Sequence, residues 1–434
     1  MAVMRPHRWL VALAILAGCG PGPGPGLRIP AEWEEQEAVW LSWTGDGDEN
    51  NLVLAAIIRE LQGSVKVKVV FSSEPARRRS FRALHDLAVD TQAIEAHVFP
   101  GADTWIRDQG AVFAFDGPGR LAALDLGWSQ YGQVDWSYAR WPEWFEGRYD
   151  SVKTSVERSP GSRVDSLMGA AVKARHHKVN VILEGGSFEY NGQGVLIQSE
   201  AVTLQRNPGR TRQELETEFR RLGIEKVIWL PQGVVEDEHF QVLIDNEYLV
   251  GGSGGHTDEF VRFADEHTIL LAWIDEDELD EHPLNRMNQE RMSRNLEILE
   301  RATDRNGDPF RIIKMPMPRP IETRLEVVDD PELDGDRDDV ISIHALPPGH
   351  QLAVGDTIKA VAAAGYLNFL VTNGLVLTAG YGEYGSGDKD KVARSTLQQV
   401  FPGRRIVMLD ATPLNGRYGG GGIHCATLQE PKVK

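Results

Sequence analysis

Cysteine is scarce in this sequence, which contains only Cys19 and Cys425 among its 434 residues. Two cysteines exclude a scaffold held together by several disulfides. Basic residues are also in the minority, since 46 Lys and Arg stand against 64 Asp and Glu and leave a net charge of −18. This balance argues against nucleic acid as a partner, because nucleic-acid binding needs a basic face. No apolar run reaches the roughly 18 residues that a membrane-spanning helix needs.

Hydrophobic residues make up 41% of the chain, which is ample for a buried core. We therefore expect a folded protein over most of its length. An acidic protein is also compatible with a cationic substrate, although many acidic proteins are acidic only for solubility.

The first 26 residues differ in character from the rest. Arg5 and Arg8 precede an apolar stretch over residues 9–17, a pattern typical of a secretory signal. The stretch ends in Leu-Ala-Gly-Cys at residues 16–19, which resembles the bacterial lipoprotein box. That resemblance implies cleavage before Cys19 and attachment of diacylglycerol to its sulfur. The alternative is a chance apolar start in a cytosolic protein.

A Pro-Gly repeat at residues 21–26 follows and suits a short tether. We predict a signal peptide over residues 1–18, a lipidated tether over residues 19–29 and a single domain over residues 30–434. The protein would then be exported and anchored by lipid to the bacterial cell envelope, at the outer membrane or the cell surface.

The body of the chain repeats a unit of strand, helix, strand, polar loop and strand. Helices are predicted over about 211–222, 284–301 and 391–400. Strands are predicted over 179–183 and 268–273, and a basic helical stretch around His176 and His177. Self-similar units suggest a closed radial array whose polar loops meet at one axis. The alternative is an ordinary α/β sheet in which the same loops are scattered. The array would gather residues that lie far apart in the sequence, namely Asp108, Glu184, His256, Asp258, Asn368 and Cys425.

Two segments depart from the repeat. The second unit carries an insertion over about residues 128–163 that is crowded with Trp and Tyr. We expect most of these rings to pack internally, with one or two at the mouth of a pocket. An acidic run over residues 329–339 is interpreted as a solvated loop, with calcium binding as the less favoured alternative.

Cys425 is a candidate nucleophile because it follows four glycines at residues 419–422. Glycines let the backbone approach a ligand closely and aim N–H groups at developing charge. A thiol needs a lowered pKa or a nearby base to attack a substrate, and His256 is the candidate base. If residues 256–258 form a strand, His256 and Asp258 lie on the same side of it. Glu184 is a second candidate for orienting His256.

Each of these residues also has a purely structural interpretation. Cys425 could be a small buried hydrophobe, His256 a hydrogen-bonded core residue and Glu184 a turn carboxylate. The pair of His256 and Asp258 could also belong to a metal site, although no third ligand stands at a useful spacing.

Five motifs together resemble one family, the agmatine deiminases and Porphyromonas-type peptidylarginine deiminases. The resemblance covers roughly residues 30–432 and keeps the family order of motifs. It implies a five-bladed β/α propeller, the pentein fold, which agrees with the α/β repeat. The motifs are Trp-Ile-Arg-Asp-Gln-Gly at 105–110, Glu-Gly-Gly at 184–186, Gly-His-Thr-Asp at 255–258, Gly-Tyr-Leu-Asn-Phe at 365–369 and Gly-Gly-Gly-Ile-His-Cys at 420–425.

The resemblance also implies a reaction in which Cys425 attacks a guanidinium carbon and forms a thiouronium intermediate. Asp108 and Asp258 would clamp the guanidinium nitrogens. His256, oriented by Glu184, would protonate the leaving ammonia and then activate water. The products are ammonia and a ureido compound, and the step needs no metal or organic cofactor. Substrate contacts are further implied for Trp105, Asn368 and Arg107.

Three positions depart from the agmatine-type pattern. Gly422 replaces a usual Asn, Ala111 a frequent Pro, and Gln109 an aromatic residue or Thr. These changes put the tail of the substrate in doubt and leave the reaction in place. A small guanidine such as agmatine is the first expectation, and peptidyl-arginine is the alternative for an exported enzyme. An amidinotransferase, a cysteine hydrolase and a non-catalytic lipoprotein that binds cationic ligands also remain open.

Overall fold

A computed structural model describes the chain from residue 26 to its end, apart from a few short gaps. The predicted signal peptide and the lipidation site at Cys19 lie outside the described residues. Among those residues, no helix combines the length and the apolar character needed to span a membrane. The described ranges are 26–44, 49–333, 336–337, 339–347 and 349–434.

The strands are short and, for the most part, buried along their length. Apolar residues make up most of the central ones, as expected for strands covered on both faces. In chain order they are β1 (Gln36–Trp43), β2 (Lys66–Phe71), β3 (Ile94–Val98), β4 (Val112–Phe115), β5 (Leu121–Asp125), β6 (Arg175–Lys178), β7 (Phe188–Tyr190), β8 (Val195–Ser199), β9 (Lys226–Leu230), β10 (Val242–Ile244), β11 (Tyr248–Val250), β12 (Val261–Asp265), β13 (Thr268–Trp273), β14 (Arg311–Pro316), β15 (Glu322–Val328), β16 (Asp336–Arg337), β17 (Val340–Ser342), β18 (Thr357–Val361), β19 (Leu370–Thr372), β20 (Leu375–Ala379), β21 (Arg405–Leu409) and β22 (Thr427–Pro431).

Helices connect the parallel strands, which need a crossover connection. The α-helices are α1 (Asn50–Leu61), α2 (Glu74–Asp86), α3 (Ile106–Gln109), α4 (Gln133–Arg140), α5 (Tyr149–Glu157), α6 (Val164–Ala171), α7 (Glu200–Arg206), α8 (Arg212–Arg221), α9 (Thr257–Phe260), α10 (Pro283–Arg301), α11 (Gly387–Val400) and α12 (Thr412–Asn415). Short 3-10 helices span Thr91–Ala93, Pro142–Phe145, Pro160–Arg163, Val235–Asp237, Glu276–Glu278, Ile343–Ala345 and Gly382–Tyr384.

Five sheets of the described chain are built on one plan, and we call them blades. In each blade the central strand pairs antiparallel with one neighbour and parallel with the other. The last strand of the chain, β22, pairs with β1 and so completes the first blade. This is the predicted five-bladed β/α propeller. The blades, in order, are β22-β1-β2-β3, β4-β5-β6, β7-β8-β9, β12-β13-β14 and β19-β20-β21.

The three helices predicted from the sequence correspond to α8, α10 and α11. A strand predicted over residues 179–183 is wrong, because that segment has no strand. The outer strand of the second blade is instead β6, which was interpreted as part of a basic helix. Its side chains, Arg-His-His-Lys, are mostly exposed. An exposed polar edge strand therefore carries no hydrophobic pattern that could identify it.

A sixth sheet, absent from the sequence prediction, lies between the repeats. Its strand order is β10-β11-β18-β15-β17-β16. It has its own small core, which includes Leu249, Leu325 and Ile358. The acidic run that was predicted as a loop contributes the short strand β16, and residues 334, 335 and 338 of that run lie outside the described residues.

Candidate active site

The predicted site residues lie in the segments that directly precede the antiparallel strand of each blade. Because this position is equivalent in all five blades, it brings distant parts of the chain together. The segments and their strands are Asp108 before β4, Glu184 before β7, His256 and Asp258 before β12, Asn368 before β19 and Cys425 before β22.

A cavity of about 510 Å³ opens where these segments meet. Its wall includes Cys425, His256, Asp108 and Trp105, together with Glu259. The volume lies within the roughly 300–1,000 Å³ that is usual for ligand pockets. The structure thus brings together the thiol, the imidazole and a carboxylate that the sequence singled out.

Asp108 lies on the short helix α3, and each of its carboxylate oxygens accepts a hydrogen bond. The backbone N–H of Gly186 donates to Oδ1 at 2.9 Å, and the Tyr131 hydroxyl donates to Oδ2 at 3.2 Å. Burial raises the pKa of Asp108 to about 7, although the neighbouring His256 opposes this shift. A cation arriving in the cavity would favour the ionised carboxylate.

His256 lies between two carboxylates. Its Nε2 is 3.4 Å from Glu184 Oε2, and its Nδ1 is 3.8 Å from Asp108 Oδ1. Burial disfavours the charged ring, yet Asp108 and Glu184 outweigh it and raise the pKa of His256 to about 9. The ring is therefore protonated at neutral pH. His256 precedes helix α9 and Asp258 lies within it, so the prediction that both belong to a strand is wrong.

Glu184 forms a buried ion pair with Arg206, whose Nε lies 2.9 Å from Oε1. Burial opposes ionisation, but Arg206 and His256 lower the pKa of Glu184 to about 2. Glu184 is therefore a permanent anion beside the ring of His256. This placement suits its predicted role of orienting the imidazole.

Cys425 is held by the side chain of Asn368. The Asn368 amide Nδ2 donates to the sulfur at 3.0 Å, while Oδ1 accepts from the backbone N–H of Cys425 at 3.2 Å. Burial raises the pKa of the Cys425 thiol well above its usual value, and the carboxylates of Asp258 and Glu259 add to the shift. Asn368, predicted to contact substrate, supports the nucleophile and is not part of the cavity wall.

Asp258 has one occupied carboxylate oxygen and one free one. Oδ2 lies 3.4 Å from the Cys425 sulfur and 2.7 Å from His424 Nδ1. Oδ1 is buried and has no hydrogen-bond partner among the described residues. A buried acceptor without a donor costs free energy, so a ligand that brings an N–H group to this oxygen is favoured.

Gly186 marks the point on which the charged side chains converge. A Cβ placed on Gly186 would lie 2.8 Å from Asp258 Oδ2, 2.8 Å from His256 Nδ1 and 3.0 Å from Asp108 Oδ1. All three atoms thus lie close to a single position. The absence of a side chain at residue 186 lets them approach one another.

A chain of buried polar groups continues away from the cavity. His424 contacts Asp258 through Nδ1 and Glu32 through Nε2, each at 2.7 Å. Glu32 also pairs with Arg107 at 3.0 Å and with Arg262 at 2.5 Å.

Arg107 belongs to this chain of groups and not to the cavity. Its Nη1 pairs with Glu32 and its Nε donates to the backbone carbonyl of His424 at 3.3 Å. Arg107 is not part of the described cavity wall, so its contact with substrate stays a prediction. The sequence motif could not reveal this, because the direction of a side chain is not encoded in its spacing.

Sequence reasoning missed three residues of the site. Glu259 lines the cavity, with Oε1 at 3.7 Å from the Cys425 sulfur, and could have been noticed as the neighbour of Asp258. Asp237 accepts from the backbone N–H of His256 at 2.8 Å, and no motif marks it. Tyr131 had been noticed only as one aromatic residue of the insertion.

Asp258, Glu259 and Cys425 also form a group of possible metal ligands. One donor atom of each lies within 4.8 Å of the others. Neighbouring protein groups already bond to this cluster, since Asn368 donates to Glu259 at 2.7 Å and His424 contacts Asp258.

A five-bladed β/α propeller with a thiol, an imidazole and carboxylates where its blades meet defines the pentein class. The sequence profile of the Porphyromonas-type peptidyl-arginine deiminases matches residues 28–431. The chain belongs to that family.

Characterised relatives extend over nearly the whole chain. The agmatine deiminase of Pseudomonas aeruginosa strain LESB58 is 29% identical over 418 residues, which cover 93% of this chain and 95% of the relative. The agmatine deiminase of Pseudomonas syringae pv. tomato is 28% identical over 411 residues, with the same coverage of 93% and 95%.

Solved structures show the same fold. Agmatine deiminase of Enterococcus faecalis superposes with a TM-score of 0.69 at 24% identity, covering 94% of this chain and 97% of that one. A variant of C. jejuni agmatine deiminase with substrate bound superposes with a TM-score of 0.64 at 20% identity and the same coverage of 94% and 97%. The predicted pentein fold is thereby confirmed.

Proposed function

We propose that this protein is a guanidine deiminase that hydrolyses a guanidinium group to a ureido group and ammonia. Agmatine, or a similar small guanidine, is the first candidate substrate, because the agmatine deiminases above match 93% of this chain. The observation that carries the proposal is the convergence of Asp108, Asp258 and His256 on one point beside Cys425. An imidazole, a thiol and two carboxylates in one slot suit a planar cation rich in N–H donors.

The guanidinium group would lie between the carboxylates of Asp108 and Asp258. Carboxylates bind guanidinium through paired, charge-assisted hydrogen bonds. The free Oδ1 of Asp258 offers an acceptor that the protein itself leaves unused. The ring of Trp105 approaches Cys425 across Gly421 and forms part of the wall of the same slot.

The first half of the reaction replaces a C–N bond by a C–S bond. The thiolate of Cys425 attacks the guanidinium carbon and forms a tetrahedral adduct. His256, protonated at neutral pH, gives its proton to one nitrogen, which leaves as ammonia when its bond to carbon breaks. The carbon remains attached to sulfur as a thiouronium group.

The second half restores the enzyme. His256, now neutral, accepts a proton from water while the water oxygen attacks the thiouronium carbon. The C–S bond then breaks and sulfur leaves as the thiolate. The remaining proton of the attacking water passes to solvent, where it converts the released ammonia to ammonium, and the neutral ureido product forms. Glu184 keeps the ring in place through both halves, because it is ionised and held by Arg206.

Substrate charge accounts for the activation of the thiol. In the empty site burial and the nearby carboxylates keep the pKa of Cys425 high. A guanidinium cation between Asp108 and Asp258 supplies the positive charge that stabilises the thiolate. The nucleophile would therefore form when substrate is bound, and the thiol proton would pass to solvent because His256 is already protonated.

An ammonia-release assay tests this function. Agmatine, free arginine, a peptide with internal arginine and a peptide with C-terminal arginine are compared, with Cys425→Ala as the control. We expect ammonia and an equimolar ureido product from agmatine and none from the variant. Folded protein that releases no ammonia from any of the four contradicts the proposal, and transfer of the amidino group to an added amine assigns an amidinotransferase instead.

Two carboxylate variants separate a deiminase from a cysteine hydrolase. Asp108→Asn and Asp258→Asn remove charge from the slot and keep its shape. A deiminase should lose at least about 100-fold in kcat/KM, because both carboxylates hold the reacting group. A hydrolase that needs only Cys425, His256 and Glu184 would keep most of its activity. A non-catalytic binder would show no turnover and would retain ligand affinity in Cys425→Ser.

We also propose that the protein is exported and anchored to the cell envelope by a lipid on Cys19. The support is the sequence alone, namely the basic start, the apolar stretch and the Leu-Ala-Gly-Cys box at residues 16–19. The family profile begins at residue 28, so these residues lie outside the matched body. An exported enzyme would meet guanidines of the environment or exposed arginyl chains.

A further inference from the structure

The mouth of the active-site cavity is built from segments that are additions to the five repeated blades. Its wall includes residues of the insertion 128–163, of the turn that precedes β10, and of the segment from His344 to Pro347 beside the sixth sheet. The blades supply the reacting groups, whereas these additions surround whatever extends from the guanidinium. Loops carried on a rigid scaffold commonly set specificity.

Aromatic rings dominate this mouth. Trp141 and Trp144 stack with their ring centres 4.4 Å apart, and Trp141 also meets Trp136 edge to face at 5.2 Å. The ring of Phe240 also packs against Trp136, and the two ring centres lie 5.1 Å apart. Trp144 is 56% exposed, although it is a large hydrophobic residue. An exposed indole at a pocket mouth favours ligand binding, because a ligand that covers the ring removes apolar surface from water.

Carboxylates in the cavity wall are confined to its floor. Asp108 and Glu259 lie beside His256 and Cys425, and Asp237 accepts from the backbone of His256. The described residues of the mouth contribute no carboxylate to the wall. The polar side chains there are uncharged amides and hydroxyls, such as Gln133, Ser137, Gln241 and Tyr418, together with the imidazole of His344.

One positive charge, that of Arg140, lies against the aromatic rings, and Glu238 is the carboxylate near it. The guanidinium of Arg140 lies 4.1 Å from the ring centre of Trp136 and so already occupies one face of this indole. A second cation at the mouth would be repelled by Arg140 and would find no carboxylate in the wall. An amide with an aromatic group would instead find rings to stack on and neutral side chains that form hydrogen bonds.

From these observations we infer that the site accepts guanidinoalkyl amides that end in an aromatic or apolar group, and that it turns these over faster than agmatine, whose tail is a free ammonium. This inference rests on the proposed deiminase function and names the substrate class of the same site. The volume of about 510 Å³ leaves ample room beyond the guanidinium for such a tail. An acylated guanidinoalkylamine and an arginyl peptide with an aromatic neighbour share this chemistry.

The test compares kcat/KM of the full protein for agmatine, N-benzoylagmatine and a peptide in which phenylalanine follows an internal arginine. We expect at least one of the two amides to exceed agmatine by about tenfold or more, since a stacked aromatic group gains free energy over its buried area. Preference for benzoylagmatine assigns a free small amide, and preference for the peptide assigns a polypeptide. Agmatine turnover equal to or faster than that of both amides overturns the inference.

Variants of the mouth test whether the aromatic rings cause the preference. Trp144→Ala should lower the ratio of kcat/KM for the preferred amide to kcat/KM for agmatine by about fivefold to tenfold, and Trp144→Phe should restore most of it. Tyr384→Ala removes a comparably exposed ring that is not part of the cavity wall, and it should leave the ratio unchanged. An unchanged ratio in Trp144→Ala contradicts the inference.

The two proposals fail in different ways. If folded protein releases ammonia from agmatine but from neither amide, the specificity inference is wrong and the deiminase function stands. If no guanidine releases ammonia, the deiminase function itself is wrong, and the specificity inference is then wrong as well.

Discussion

At the scale of single residues, the site depends on one missing side chain as much as on those present. Gly186 has an ordinary backbone conformation, so alanine could adopt it without strain. Its Cβ, however, would lie within 3.0 Å of the reactive atoms of Asp108, Asp258 and His256. Those atoms would have to move, and reacting groups tolerate displacements of only about 1 Å before losing roughly 100-fold in rate.

We therefore predict that Gly186→Ala lowers kcat by at least about 100-fold while the protein remains folded. Steady-state kinetics and thermal unfolding followed by circular dichroism measure the two effects. Gly387→Ala is the matched control, because its nearest heavy atom would be 3.8 Å away and helix α11 begins there. Retained activity in Gly186→Ala would show that the carboxylates and the imidazole need not converge.

The protonation of Cys425 gives a second prediction at this scale. Because burial and Asp258 raise the pKa of the thiol well above its usual value, the free enzyme contains little thiolate at pH 7. Since only the thiolate reacts, alkylation by iodoacetamide should accelerate by about tenfold or more from pH 7 to pH 9. The Cys19→Ser chain leaves Cys425 as the only thiol, and mass spectrometry gives the rate. A rate already constant below pH 7 would indicate a thiolate at rest.

At the scale of elements, the buried polar chain links the segment before β1 to the turn before β22. Glu32 contacts His424, Arg107 and Arg262, and it is only 24% exposed. His424 in turn holds Asp258 through the 2.7 Å contact. Glu32 is thus a positioning residue, because it acts on the slot through other groups.

Glu32→Gln should destabilise the protein by about 2–4 kcal/mol, since two buried arginines lose their shared anion. It should also shift the pH profile of kcat/KM, because the charge of Glu32 favours the protonated form of His424, whose other ring nitrogen contacts Asp258. Glu37→Gln is the matched control, since Glu37 pairs with the exposed Lys66 and should change stability by less than about 1 kcal/mol. Denaturant unfolding and pH-rate profiles test both variants. A loss of stability with an unchanged pH profile would assign Glu32 a purely structural role.

The sequence predicted some elements better than others for a physical reason. Helices α8 and α10 and strand β13 carry strong periodic patterns, and their predicted bounds agree with the structure within one residue. Strand β6 is an exposed polar edge strand, which pairs with β5 but carries no hydrophobic pattern of its own. Helix α9 has only four residues and is too short to show the hydrophobic period of a helix. His256 and Asp258 were therefore predicted to lie on a strand.

At the scale of the whole molecule, the repeat explains how far the site could be predicted. Equivalent loops of a rotational array must converge, so six residues spread from Asp108 to Cys425 could be assigned to one site before any coordinates. The direction of each side chain could not be assigned in the same way. Arg107 therefore turned out to bind Glu32, and Glu259 and Asp237 were missed.

The residues that we propose to set substrate specificity and cellular location lie outside the repeated blades. The aromatic mouth comes from insertions, for which the five-fold pattern gives no expectation. The sixth sheet adds the segment from His344 to Pro347 to that mouth. Relatives that share the blades can thus share the reaction and still differ in the substrate tail that they accept.

The predicted lipoprotein signal would decide where this chemistry takes place. If residues 1–18 are a lipoprotein signal, growth with an alkyne-tagged fatty acid should label the protein, and Cys19→Ser should abolish the label. Cys425→Ser is the matched control, since it removes the only other thiol and should leave labelling intact. Because a single acyl chain binds membranes only weakly, stable recovery in the membrane fraction requires the multiple chains of a lipidated cysteine. Unlabelled wild-type protein in the soluble fraction would place the enzyme, and its substrates, elsewhere.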